Sequence, residues 1–291
     1  MVKVFFCGWL RRYADRMVAS SGFCRGDPTR SEMTVKLPDT FTYERHGQVA
    51  VMTINRPEAM NAFTADMLRG MDACFEDFNE DDDLRVAILT AVGDKAFSSG
   101  MDLKEAIPML QSGDEMGYED HTKRPFSDVF KPIIGAVNGL CIAGGMEFLQ
   151  GTDLRIAAEH ATFGLGEVRW GIIPTGGSHI RLPVQIPWAV AMEMLLTGKP
   201  ISAARAYDIG LVNKVVPADQ LMDEAMELAE TICQNGPLAV RTAKEIAVRA
   251  LNLEPGFVME KDLGQRVMDS DDAREGPAAF AEKRAPVFKG R

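Results

Sequence analysis

Cysteine is scarce in this chain and poorly placed for any staple. The five cysteines, Cys7, Cys24, Cys74, Cys141 and Cys233, form no Cys-x-x-Cys pair and leave an odd count. That pattern excludes a disulfide framework and indicates a reducing compartment. Histidine is scarcer still. His46, His121, His160 and His179 include no pair at helical i, i+4 spacing, so metal ligation has no pattern to support it. They read as ordinary surface or capping residues, with no metal site. No apolar run approaches the roughly 18 residues of a membrane span. Positive charge is in deficit, with 32 Lys and Arg against 42 Asp and Glu and a formal net charge of -10. Such a field repels phosphate backbones and excludes nucleic acid as a primary partner. An anionic ligand would need its own local cations.

What is present describes an ordinary globular protein: 291 residues, 46% hydrophobic and 25% charged, enough to bury a sizeable core. The first 32 residues stand apart. Lys3, Arg11, Arg12, Arg16, Arg25 and Arg30 outnumber Asp15, Asp27 and Glu32 there. One reading is a basic targeting peptide, which would place the chain in a mitochondrial matrix. The plainer reading is an extension ahead of a second start at Met33, with the chain cytoplasmic. Either way residues 1–32 stand outside the fold.

Residues 48–55 alternate around Val49, Val51 and Thr53, as a half-buried strand should. Leu68, Met71, Phe75 and Phe78 recur at helical spacing after Thr64, a good N-cap. Residues 85–91, 132–137 and 153–158 are short apolar runs that read as buried strands. Strands separated by helical stretches point to βα crossovers and an α/β layered core. From Pro187 onward the chain turns mostly helical. Residues 202–209 end at Gly210, a C′ glycine, and residues 211–216 form a short strand. Residues 218–234 carry Leu221, Ala225, Leu228 and Ile232 on one stripe, residues 238–251 form another helix, and a charged helical tail runs from Pro255 and Gly256 to Arg291. The stretch 104–128 is irregular, either a surface loop or a lid over a pocket.

Three segments invite a chemical reading. Ala96-Phe97-Ser98-Ser99-Gly100-Met101-Asp102-Leu103-Lys104 follows a buried strand, and Gly100 lets the backbone turn and expose an N–H. Asn138-Gly139-Leu140-Cys141-Ile142-Ala143-Gly144-Gly145-Met146-Glu147 is where a strand gives way to a helix, whose first N–H groups and positive dipole end would face a ligand oxygen. Phe163-Gly164-Leu165-Gly166-Glu167 runs on to Gly171-Ile172-Ile173-Pro174-Thr175-Gly176-Gly177. Singly these are weak signals, and the glycine pair at 164 and 166 lacks the third glycine of a dinucleotide fingerprint. By themselves Glu147 reads as an acid complementing a helix dipole and Glu167 as a loop carboxylate paired with Arg169.

In this order, and together with Asn55-Arg56-Pro57, Asn61-Ala62, Leu196-Thr197-Gly198 and Ala279-Phe280-Ala281-Glu282-Lys283-Arg284, the segments closely resemble the crotonase (enoyl-CoA hydratase/isomerase) family. The resemblance runs from about residue 41 to the C-terminus. It implies an α/β fold, with a ββα spiral core over residues 33–200 and a helical trimerisation region over 201–291. It also implies a homotrimer or a dimer of trimers, an acyl-CoA thioester as substrate, and no cofactor beyond the coenzyme A of the substrate. The oxyanion hole would be the backbone N–H groups of Met101 and Gly144. Two such donors hold the charge that a thioester oxygen develops, and removing one typically costs about 2.7–4 kcal/mol of barrier. Glu147 and Glu167 would be the catalytic acid–base pair. Met60, Ala62, Met101, Asp102, Leu103, Lys104, Thr175 and Lys283 would bind the coenzyme or substrate, Lys283 from a neighbouring subunit. Phe97, Phe163 and Trp170 line the acyl pocket or, more simply in the case of the phenylalanines, fill the core.

Three departures stand out. Gly166 precedes the second glutamate where hydratases often have proline, Thr175 stands where a glycine backbone commonly helps hold the water, and Glu58 replaces a position that is often basic. The expected reaction is reversible syn hydration of a trans-2-enoyl-CoA to a 3-hydroxyacyl-CoA. The alternative is movement of the double bond between the 3- and 2-positions, or another reaction on the same enolate platform.

Overall fold

The computed structural model describes residues 37–105, 108 and 120–290. The N-terminal extension and most of the expected lid therefore lie outside the described residues. Two antiparallel strands, β1 (Phe41–His46) and β2 (Val49–Ile54), pair from Phe41–Ile54 to His46–Val49 around Gly47 at φ 62°. Thr64 caps α1 (Ala65–Glu80) by accepting from Met67 N–H at 3.2 Å, and Met67, Met71, Cys74, Phe75 and Phe78 form its buried stripe.

The chain then winds between two sheets. β3 (Val86–Ala91) enters the first sheet and β4 (Ala96–Ser98) the second; β5 (Ile133–Val137) returns to the first and β6 (Leu140–Ile142) to the second. After α2 (Gly144–Gln150), β7 (Leu154–Ala158) and β8 (Thr162–Gly164) repeat the step. Each circuit lays one strand in each sheet, and β3, β5 and β7 run parallel in one while β4, β6 and β8 run parallel in the other. Side-chain amides hold the corners: Asn61 Nδ2 donates to Ala96 O at 2.6 Å and Asn138 Nδ2 to Gly93 O at 2.7 Å. These carbonyls are left over where short strands turn, and the side-chain amides give them partners.

Beyond the spiral come α3 (Ser178–Gln185), α4 (Trp188–Thr197), β9 (Ile201–Ser202), α5 (Ala203–Asp208), β10 (Lys214–Val216), α6 (Leu221–Cys233), α7 (Pro237–Leu251), α8 (Glu254–Met268) and α9 (Asp271–Ala281). As the sequence suggests, Gly210 at φ 78° follows α5. The stripe of α6 also falls where expected. Leu221, Ala225 and Ala229 pack on Val49, Val51, Val86, Ile88, Ile134 and Ile156, with Leu228 and Ile232 at the margin.

Two expectations change. β2 is buried on both faces save Thr53, because α6 covers Val49 and Val51 while Ala50, Met52 and Ile54 face the other layer. Hydropathy alternation reports exposure only when one face of a sheet is wet. The C-terminal tail is two helices rather than one, ends its helical course at Ala281, and carries Pro255 and Gly256 inside the first turn of α8, where a missing N–H is harmless.

Candidate active site

Gly100 stands at φ 93°, and a Cβ there would lie 2.8 Å from the Cβ of Ala143 and 3.0 Å from Gly144 N. Only glycine lets these two backbones come so close. The neighbouring Met101 forms a parallel bridge with Phe63, made by Phe63 N–H donating to Gly100 O and Asp102 N–H to Phe63 O, each at 2.8 Å. That pattern uses the residues on either side of Met101, so the Met101 N–H points away from Phe63. Ala143, in the positive-φ region at 51°, precedes α2, whose first residue is Gly144. An N–H at that position has no acceptor within its own helix. A Cβ built on Gly144 would lie 3.6 Å from Met101 N. The structure thus brings the two expected oxyanion donors side by side.

Glu147 follows one turn into α2 and accepts a hydrogen bond from Gly176 N–H. The fit leaves no room: a Cβ on Gly176 would stand 2.7 Å from the carboxyl carbon of Glu147. Glu167 opens a 3-10 turn (Glu167–Trp170), is 9% exposed, and its Oε2 is buried without a hydrogen-bond partner. Glu167 forms no ion pair among the described residues, and Arg169 is exposed against Gly198 instead. Burial pushes both carboxyls above the usual carboxylate range, and the charge of Glu167, then that of Glu260, raises Glu147 further. A pair of this kind titrates as a unit and holds a proton near neutrality.

Met60 and Ala62 flank Asn61 in a left-handed bend, with Ser99 N–H donating to Met60 O at 3.1 Å. Arg56 ties this bend to the Met101–Lys104 turn: it donates to Ala62 O at 3.3 Å and pairs with Asp102 at 2.6 Å. Burial works against the Asp102 charge, but the Lys104 N–H and the Arg56 guanidinium hold its carboxyl below the usual range. Met60, Ala62, Met101, Asp102, Leu103 and Lys104 therefore share one edge, with Leu103 and Lys104 exposed. Glu58 is exposed there, 3.9 Å from Arg56. Thr175 is exposed beside Gly176. Lys283, exposed at φ 56° just past α9, is not brought to that edge by any described contact. Phe97 and Phe163 are wholly buried core, and Trp170 packs edge-on to Phe280 at 4.8 Å.

The reading of His179 as an ordinary surface or capping residue also changes: its Nδ1 lies 3.0 Å from Glu260 Oε1, and Glu260 also pairs with Arg124 at 3.1 Å. The sequence held one clue. Glu260 falls on the stripe of Phe257 and Gly264, the buried face of α8, where an isolated acid demands a partner. Among the described residues no group of three His, Cys, Asp or Glu side chains could hold a metal ion, and no helix is long and apolar enough to cross a membrane.

The enoyl-CoA hydratase/isomerase family model matches residues 44–291. An enoyl-CoA hydratase of Mycobacterium tuberculosis is 43% identical over 265 residues, covering 87% of this chain and 97% of that protein. A carnitinyl-CoA dehydratase of Citrobacter koseri is 40% identical, covering 88% and 100%. The crystal structure of a carnitinyl-CoA hydratase from Mycobacterium avium superposes with a TM-score of 0.80 at 36% identity, over 87% of this chain and all of that one. With the two-sheet spiral and the helical C-terminal region, these matches make the chain a member of the enoyl-CoA hydratase/isomerase family, the crotonases.

Proposed function

We propose that this enzyme adds water reversibly and syn across a trans-2-enoyl-CoA to give a 3-hydroxyacyl-CoA. The observation that carries this is that Glu147, on the helix that Gly144 begins beside Met101, is coupled by charge to the buried Glu167. One carboxylate takes a proton from water as its oxygen bonds to C3. The thioester oxygen gains charge and is held by the two N–H groups. The other carboxyl gives its proton to C2, so atoms balance and no redox cofactor is called for. Coenzyme A would lie along the Met60–Ala62 and Met101–Lys104 edge, with Thr175 near the water and Lys283 reaching in from a neighbouring copy of a trimer or a dimer of trimers. The named relatives are bacterial, which favours a cytoplasmic enzyme and gives the mitochondrial alternative no support.

A second reading has its own support: the relatives named for carnitinyl-CoA suggest dehydration of a 3-hydroxyacyl-CoA whose acyl end bears a quaternary ammonium. The chemistry is the same step reversed, so the carboxylate pair serves both. Double-bond isomerisation, which needs one carboxylate, is separated by substitution. Steady-state turnover of a panel of enoyl-CoAs of differing length and branching, alongside carnitinyl-CoA, decides the substrate. Hydration that survives Glu147→Gln undiminished sinks the two-glutamate mechanism.

A further inference from the structure

The reaction as described leaves unused a buried charge cluster around Glu260. Glu260 of α8, its side chain 1% exposed, accepts from Arg124 Nε at 3.2 Å through Oε2; through Oε1 it accepts from His179 N–H at 3.3 Å and meets His179 Nδ1 at 3.0 Å. Arg124, 3% exposed, also donates to Phe257 O at 2.8 Å and to His121 O at 3.1 Å. Three distant segments meet here: the stretch around residue 124, the start of α3, and α8.

The turn from Gly176 to His179 carries two backbone N–H groups that end on two different carboxylates, Gly176 on Glu147 and His179 on Glu260. Between them, a Cβ on Gly177 would lie 3.0 Å from Cγ of Arg124, and Ser178 Oγ accepts from Gln150 Nε2 at 2.9 Å. The turn is therefore gripped at both ends, once by the acid–base pair and once by the cluster. We propose that His179, Glu260 and Arg124 are positioning residues that lock this turn, keep the Gly176 N–H on Glu147, and so hold Glu147 towards Glu167. The inference rests on the two-glutamate reading of the site.

Electrostatics give the cluster a signature beyond packing. The Glu260 charge helps to raise Glu147 and the Arg124 charge opposes it, while His179 opposes the rise of Glu167 caused by burial. His121, Lys261 and Arg181 adjoin the cluster, Arg181 over the Phe257 ring at 5.4 Å and His121 Nε2 meeting Lys261 Nζ.

The test compares His179→Ala with His179→Asn, whose amide offers a donor where Nδ1 stands. His179 is 30% exposed at its side chain, so neither change creates a sealed cavity. Crotonyl-CoA hydration is followed across pH. His179→Ala is expected to lower kcat on the order of ten- to a hundredfold, leave KM within about twofold, and move the pH profile upward on its acid side; His179→Asn restores most of kcat. An unmoved profile, or an asparagine variant no better than alanine, overturns the proposal. If the wild type turns over neither crotonyl-CoA nor carnitinyl-CoA, the hydratase reading fails on its own account. The positioning role is then read by infrared titration of the glutamate carboxyls, where a His179→Ala titration identical to wild type refutes it and a displaced one supports it.

Discussion

On the proposed mechanism Glu147 and Glu167 would act as a pair, because Glu167 Oε2 is buried without a partner and its charge raises Glu147. Each of Glu147→Gln and Glu167→Gln is expected to lower kcat for hydration about 10²- to 10⁴-fold, with thioester binding by calorimetry retained. A second consequence concerns stability. Both carboxyls bind protons more tightly in the folded chain than in the unfolded one, so above the ordinary carboxylate range the native state holds more protons and stability falls as pH rises. Each unit of upward displacement corresponds to about 1.4 kcal/mol. Glu147→Gln should therefore melt higher than wild type at about pH 9 and gain nothing at about pH 4; a thermal melt at both values checks the sign. These two residues were legible through the family resemblance, not from spacing. Glycine before a helix and an acid in its first turn are too common to single out Glu147. His179, Arg124 and Glu260 were not legible at all as a group, since they lie on three segments that only the tertiary fold brings together.

At the scale of elements, the longer parts of the core could be read and the shorter ones could not. The α1 cap at Thr64 and the stripe of α6 follow from local chemistry that needs many residues to declare itself. The second sheet is built from strands such as β4, β6 and β8, each three residues long, too short for any period to show. Backbone pairing, the Asn61 and Asn138 bonds to Ala96 O, and the buried Phe97, Cys141 and Phe163 hold them in place. A contact between elements also sets up a prediction. Helix α9 lies so close to the Glu167–Trp170 turn that a Cβ on Gly276 would come within 1.6 Å of Trp170 O. Gly276→Ala must push the two apart, at a cost of about 1–3 kcal/mol. We expect a lower melting temperature and a loss of kcat larger than any change in KM, because the turn that α9 supports carries Glu167. An alanine variant with wild-type kcat would show that the helix is no support for the site.

For the whole molecule, the acidic balance bounds the class, but the exposed apolar surface is visible only in three dimensions. Helix α7 buries none of its residues, and Leu238, Ile246 and Leu251 remain exposed, as do Met259 and Leu263 of α8. Apolar stripes of this kind mark surfaces that associate. Analytical ultracentrifugation should find three or six copies, and Ile246→Glu should shift that mass downwards; a single-copy mass for the wild type would count against the trimer. The seat of α9 on the Glu167 turn has a consequence for how the enzyme comes into being. A chain leaves the ribosome N-terminal end first, so both glutamates are exposed long before Gly276 is added. Until α9 docks, the Glu167–Trp170 turn lacks the packing of Gly276 on Trp170 O, so on the proposed mechanism the site is complete only once the last helix is in place.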